Sequence, residues 1–287
     1  MKFALFLGCH IPVRLKQYET SSKAILERLG VGLVDVEEFN CCGYPLRNIE
    51  FKAYLLASAR NLSLAEKKKL DVMALCQCCY GSLKKANFLL RENVSLRKEV
   101  NTVLEREGLL YKGEVEVKHL LYVLHQEVGV EAIQEKIVRT FKGLKIATHY
   151  GCHVLRPSQV VGFDNPVNPS VFDQLVEATG AESIAWPMKL ECCGAPLWGI
   201  HDALSTEFTL RKLKGAREAG AVYLCTACTY CQIQFDTIQH MILSQRGLNH
   251  ALPSILYPQL LGLCMGIDSE TLGLKMNKIP IRGAEQL

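Results

Sequence analysis

The chain has 287 residues, 49% hydrophobic and 22% charged, with a formal net charge of +4. That length suits one large domain or two ordinary ones, and the composition is that of a packed protein rather than a disordered one. Basic residues are scattered, with no block interleaved with aromatics, so nucleic-acid binding has little support and at most an acidic partner or anionic substrate is favoured.

Residues 3–7 form an apolar run that ends at Gly8-Cys9-His10. It lacks a full hydrophobic region and a small-residue cleavage site, so it reads as a strand rather than a signal peptide. A helix is expected over 21–29, stopped by Gly30, then a strand over 33–36. A loop follows, carrying Cys41-Cys42-Gly43-Tyr44-Pro45-Leu46. A long helix over 50–68 leads to a strand over 72–75 and to Cys76 and Cys79. Across 82–143 the pattern is mostly helical, with Leu89, Leu90, Val94, Leu96, Val100, Val103 and Leu104 near helical spacing.

The series then repeats. Residues 145–149 form a strand before Gly151-Cys152-His153, and 157–169 read as an inserted loop. A helix over 170–179, stopped by Gly180, precedes a strand over 183–186 and the phrase Cys192-Cys193-Gly194-Ala195-Pro196-Leu197. A helix over 202–219 and a strand over 221–224 lead to Cys228 and Cys231. The charge-free stretch 251–267 is short for a membrane span and contains Pro253 and Pro258, so a buried helix entered through a proline turn is expected. A cytoplasmic chain, free or peripheral to a membrane complex and with no span of its own, is the expectation.

Strand and helix alternate in each half, which argues for an α/β fold of two duplicated parallel halves related by pseudo-two-fold symmetry. The expected division is 1–81 for the first half, 82–143 for a helical linker and 144–287 for the second. In such sheets ligands gather at the carboxyl ends of the strands, and the cysteine groups fall at or just past strand ends. Thirteen cysteines without an export signal point to metal or redox chemistry rather than disulfides. Adjacent cysteines make a poor structural disulfide. Five thiols with two adjacent also suit tetrahedral zinc poorly, whereas each neighbour can bind a different iron of one cluster.

In its twin C-C-G phrases, each with a cysteine upstream and a C-x-x-C downstream, and in the ending Leu256-Tyr257-Pro258-Gln259-Leu260-Leu261-Gly262, the chain resembles the double C-C-G proteins of the heterodisulfide reductase B-subunit family. The residues after the first pair look closest to its bacterial and sulfur-metabolism branch. The resemblance implies two non-cubane 4Fe–4S (iron–sulfur) clusters. One would sit on Cys9, Cys41, Cys42, Cys76 and Cys79, the other on Cys152, Cys192, Cys193, Cys228 and Cys231. It further implies a disulfide, small or protein-bound, cleaved between the clusters (or formed from two thiols). Electrons would arrive through a partner protein carrying cubane 4Fe–4S clusters, itself fed by a flavoprotein partner. The alternatives are a non-catalytic iron–sulfur electron-transfer subunit, as in C-C-G proteins of lactate or glycerol-3-phosphate oxidation, and a zinc-stabilised scaffold. Electron-transfer relatives often carry C-x2-C-x2-C-x3-C-P, and the nearest run here, Cys225-x2-Cys228-x2-Cys231, lacks the fourth cysteine and the proline.

No catalytic side chain is expected beyond the clusters, with His10 and His153 the candidates for a proton or a hydrogen bond. Arg14, Arg47 and Arg156 are candidates for an anionic group on the substrate, weighed against solvated surface arginines. Tyr44 and Trp198 are candidate cavity walls. Cys78, Cys225 and Cys264 are expected to be spare buried thiols. Gln234 and Asp236 are expected to cap or pack a helix, and His119, His125, His149, His201, His240 and His250 to be structural or surface residues.

Overall fold

Phe3, Ala4, Leu5 and Phe6 are all buried. A parallel strand covered on both faces reads as an unbroken apolar run, and this one, β1 (Lys2–Phe6), lies inside its sheet. The computed structural model describes residues 1–281. β1 pairs in parallel with β2 (Gly32–Asp35) on one side and β3 (Val72–Ala74) on the other, and β3 pairs with β4 (Val117–His119). The second sheet repeats this order with β5 (Lys145–His149), β6 (Glu182–Ser183), β7 (Tyr223–Thr226) and β8 (Ser254–Leu256). Successive connections leave β1 and β5 toward opposite sheet edges, so each half has its switch point, and hence its crevice, at the carboxyl end of its first strand. Cys9 and Cys152 lie just beyond those ends.

The two α/β halves expected from the duplication are present. Several details differ. Residues 82–143 are not only helical, because they supply β4, the fourth strand of the first sheet. Residue 81 lies inside the helix Gln77–Glu92, so the helix that opens at the cysteines of the first half runs on into the linker span. Residues 251–267 divide into β8 and the shorter helix Tyr257–Cys264, with Pro258 in its first turn. Both missed strands are three residues long, too short for an alternation pattern to register. The first long helix begins earlier than expected, at Lys16–Arg28. The inserted loop contains a short helix, Ser158–Val161, and the Asp164 carboxylate accepts from the amides of Ser170 and Val171.

The halves are joined by packing and by buried hydrogen bonds. Tyr80 donates across to the carbonyl of Val161 (2.6 Å), and the helix Tyr257–Cys264 packs on the helix Lys16–Arg28. The most central tie is His119, at the end of β4 and fully buried. Its Nδ1 accepts from the Leu121 amide (3.2 Å), so Nε2 carries the proton. That N–H points at the carbonyls of Leu75 (3.0 Å) and Ala227 (3.2 Å). These two carbonyls immediately precede Cys76 and Cys228 in the two halves. One imidazole therefore pins both C-x-x-C turns to a common point.

Burial pushes the His119 pKa down to about 4. The unfolded chain then binds more protons than the folded chain between about pH 6.5 and pH 4, so the stability contributed by neutral His119 is present above pH 6.5 and lost as pH falls. The expected loss from this residue between pH 7 and pH 5 is about 2 kcal/mol. In denaturant titrations at the two pH values, His119→Gln should lower stability at pH 7 and show a smaller acid-induced decline than the parent chain. An equal decline in both proteins would count against this assignment.

Candidate metal centres

Each cysteine pair sits in a loop whose next residue is a glycine in the left-handed region, Gly43 at φ 80° and Gly194 at φ 89°. A Cβ on Gly43 would fall 2.9 Å from the Tyr54 carbonyl oxygen, and one on Gly194 would fall 2.8 Å from that of Ser205. Glycine is needed twice over, for the turn and for the contact with the following helix. That helix, Phe51–Lys68 in one half and Asp202–Glu218 in the other, holds the pair from one face at i, i+4 and i+7. In the first half these positions are Tyr54, Ser58 and Asn61. Ser58 donates to the Cys42 carbonyl (2.7 Å) and Asn61 to that of Cys41 (3.1 Å). In the second half they are Ser205, Thr209 and Lys212. Ser205 donates to the Gly194 carbonyl (2.9 Å), Thr209 to that of Cys193 (3.2 Å), and Gln234 backs both hydroxyls (3.0 and 2.7 Å).

The fold gathers the thiols so supported. In the first half Cys41 contacts Cys9 and Cys42, Cys42 contacts Cys79, and Cys79 contacts Cys76. Hydrogen bonds from Cys42 and Cys9 hold the Cys41 thiol well below its ordinary range. Burial raises Cys76, but bonds from Cys228, Cys78 and Cys79 outweigh it and favour the thiolate. In the second half Cys193 is held down by Cys192 and then Cys231, while burial pushes Cys152 up to about 11. Thiols crowded in this way share protons and favour thiolates at selected positions, the state in which cysteine binds metal.

The two groups meet. The sulfurs of Cys76, Cys78 and Cys228 lie within 4.8 Å of one another. Around the junction His10 packs edge-on against Tyr230 (4.9 Å between centroids), and Tyr44 packs against His153 (5.0 Å) and Tyr230 (5.8 Å). His153 Nδ1 is 3.2 Å from the sulfur of Cys152 and 3.7 Å from that of Cys78. A narrow cleft of about 10 Å³, bordered by Cys9, His10, Cys41, Tyr44, Cys78 and Tyr230 among others, lies here. A larger cavity of about 600 Å³ lies elsewhere, beside His240 and Lys278, and has no cysteine in its wall.

Several sequence expectations change. Cys78, expected to be a spare thiol, stands in the contact between the halves, at the position that Tyr230 occupies in the second. Cys225 and Cys264 are buried, and Cys264 faces the Thr179 carbonyl (3.8 Å). His149, expected to be structural or at the surface, ends β5 fully buried with Nε2 3.2 Å from the Cys231 sulfur. Lys212 carries no signal in the sequence, although it shares a helix face with Ser205 and Thr209. Arg47 lies 5.2 Å over the Tyr44 ring, whereas Arg14 and Arg156 are exposed. Trp198 is half-buried in its loop. Asp236 accepts the amides of Lys278 and Ile279 (2.9 and 2.8 Å). His125 meets the Gln174 side chain, and His201 accepts from the Leu204 amide at the start of its helix.

Five thiols per half exceed what one tetrahedral zinc takes and suit thiolate ligation of an iron–sulfur cluster. A second observation fits that group. Gln77 and Thr229 occupy equivalent places, each directly after the first cysteine of a C-x-x-C. The Gln77 amide is buried and lacks a partner, and the buried Thr229 hydroxyl faces the Cys76 sulfur of the other half. Thr229 lines the cleft of the first half. Gln77 lies over Gly151, where a Cβ would fall 1.9 Å from its Oε1. Each half thus turns a buried polar group toward the other half's cysteines, where it can donate to a thiolate or to a cluster sulfide.

The CCG cysteine-rich domain matches twice, at residues 3–84 and 146–236. The chain is 36% identical, over 97% of its length and 94% of the relative, to the B subunit of the ferredoxin/F420H2-dependent CoB–CoM heterodisulfide reductase of Methanosarcina acetivorans. It is 33% identical to the 8-methylmenaquinol:fumarate reductase membrane anchor subunit of Wolinella succinogenes, over 97% of each chain. A solved structure of a hypothetical protein from Helicobacter pylori has the same fold, with a TM-score of 0.78 at 18% identity. The match covers 98% of this chain, which spans about half (52%) of that one.

The close approach of loop and helix sets how much a side chain costs at each glycine. Gly194→Ala adds both left-handed strain and a backbone clash, with an expected cost of about 3 kcal/mol. Gly199→Ala, at φ 83° with nothing within 4 Å of its Cβ, incurs only the strain, about 1 kcal/mol. Thermal or urea unfolding of the two variants checks the difference, and equal losses would contradict the contact.

Proposed function

The chain belongs to the heterodisulfide reductase B-subunit family, and from that premise we propose that it is the disulfide-reducing, or thiol-oxidising, component of a heterodisulfide-reductase-like complex. The observation that carries this reading is the meeting of two equivalent thiol groups across the junction of the halves. In this reading Cys9, Cys41, Cys42, Cys76 and Cys79 hold one non-cubane 4Fe–4S cluster, and Cys152, Cys192, Cys193, Cys228 and Cys231 hold the other. When bound, the two clusters supply the electrons for cleaving a disulfide and a binding place for each of its sulfurs.

The balance of the reaction is one disulfide, two electrons and two protons giving two thiols. The chain's own residues orient and shelter the substrate. Tyr44, Tyr230, His10 and His153 wall the approach with apolar ring faces, which excludes water. Burial lowers the proton affinity of His153, so it is neutral near pH 7 and available as a hydrogen-bond partner for a product sulfur beside Cys152. The electrons would come from a partner protein bearing cubane 4Fe–4S clusters, fed in turn by a flavoprotein. The relatives named above are subunits of larger reductases, which supports partner subunits in general. No helix among the described residues is long and apolar enough to cross a membrane.

A second reading, electron transfer without disulfide chemistry, is favoured by one feature. Ile49 and Ile200, at the same place in the two C-C-G loops, are each 83% exposed, which offers a paired apolar attachment to a neighbouring protein. Reduction of a disulfide by the iron-loaded chain with an artificial one-electron donor separates the readings.

Anaerobically prepared protein should contain about eight iron and about eight sulfide per chain. Cys193→Ala should fall to about half of each and lose disulfide reduction. Zinc with little iron in the parent chain, or full iron and full activity in the variant, would reject the two-cluster reading. NADH alone should give no turnover in either protein.

A further inference from the structure

The two thiol groups are alike in ligands but not in surroundings. The offset of 143 residues that relates Cys9 to Cys152 pairs Phe6 with His149, and the offset of 151 that relates the C-C-G phrases pairs Asn61 with Lys212. In the first half both positions are neutral. Phe6 packs on Phe39 (5.2 Å between centroids). The Asn61 amide is consumed by the Cys41 and Ala57 carbonyls and by Asn40. In the second half the corresponding positions carry an imidazole beside a cysteine sulfur and a cation. His149 Nε2 is 3.2 Å from the Cys231 sulfur. Lys212 has a relative exposure of 0%, and its ammonium donates to the Met188 carbonyl and sits 4.9 Å over the Trp186 ring.

Lys212 makes no ion pair with a carboxylate among the described residues. An ammonium held out of water without a counter-ion is costly, and burial lowers its pKa to about 8. The groups that favour its charge are led by Cys231 and Cys193, with Glu191 and Cys192 after them. Glu191 is exposed and its charge is screened by solvent, which leaves the cysteine sulfurs, and whatever they hold, as the buried counter-charge. The cation near the first group differs in kind, because Arg47 lies over Tyr44 at the partly exposed rim.

We propose that Lys212 and His149 are positioning residues that make the second-half cluster the more easily reduced of the two, so that electrons entering the pair come to rest beside Cys193 and Cys231. The inference rests on the two-cluster reading. A fixed positive charge and a donated hydrogen bond both stabilise the more negative, reduced state of a cluster and raise its potential. Each reduction takes up one electron from an external mediator and breaks no bond. The built-in difference gives an otherwise duplicated molecule a direction. The half with Phe6 and Asn61 at these positions releases its electron first, and the half with the buried cation retains it.

The test is a spectroelectrochemical titration of iron-loaded protein, with the second-half signal identified as the one lost in Cys193→Ala. In the parent chain the second-half wave should lie at the more positive potential. In Lys212→Met it should move negative by a factor of ten in the one-electron equilibrium, about 59 mV, while the first-half wave moves less. Lys212→Arg, which keeps the charge, should restore most of the shift. A more negative second-half wave in the parent chain would overturn the proposal even if no Lys212 variant folds. Two unmoved waves in an iron-loaded Lys212→Met protein would also overturn it. A parent chain that binds no iron would remove the cluster reading and this proposal together, a result distinct from waves in the wrong order.

Discussion

Two adjacent cysteines can present both sulfurs to one side only if the chain turns sharply after them and the loop is held from behind. The structure does both with one device, a glycine at positive φ pressed against the backbone of the following helix. Any side chain at Gly43 or Gly194 would press on the helix backbone at 2.9 or 2.8 Å and push the loop off it. Ser58 and Asn61 in one half, and Ser205 and Thr209 in the other, would then lose the loop carbonyls they hold. Two of the five thiols in each half depend on this contact, and the other three come from the ends of the first and third strands of the sheet. Site and fold are therefore the same structure viewed from opposite sides.

Duplication converts one such site into a pair. His119 fixes the geometry, because a single N–H shared by the carbonyls of Leu75 and Ala227 holds both C-x-x-C turns at one point. The residue between the cysteines of each turn then reaches toward the other half, with Gln77 over Gly151 and Thr229 in the first cleft. Each half thus adds a residue to the surroundings of the other half's cysteines. This interlock is the physical reason for the two C-C-G units to sit in one chain rather than act as independent modules, and it suits chemistry in which two sulfurs of one substrate must part company at neighbouring centres. The same duplication leaves room for divergence. Phe6 and Asn61 against His149 and Lys212 show where the copies have separated in charge while keeping their ligands.

The repeated cysteine phrases and the apolar strands before them made the α/β halves and the thiol groups legible in the sequence, because spacing and alternation survive in a linear string. The fourth strands did not show. Val117, Lys118 and His119 look like part of a polar helical stretch, and become a strand only because β3 offers a free edge beside them. His149 and Lys212 were illegible for another reason. Their importance lies in which neutral residue stands at the matching place in the other half, and in a buried approach to sulfur that no local pattern announces. Cys78 was hidden because the C-x-x-C spacing accounts for its neighbours without it. Its contacts with Cys228 and His153 mark it as a residue of the junction.

In the proposed reading, two facing five-thiolate centres receive the two sulfurs of one substrate. An anaerobic crystal structure of the iron-loaded chain, soaked with a disulfide, tests it most directly. The expected result is iron at both five-cysteine groups, with one substrate sulfur at each, between the ring pairs His10–Tyr230 and Tyr44–His153. A single metal ion shared by Cys76, Cys78 and Cys228, or a disulfide bound away from the junction, would contradict it.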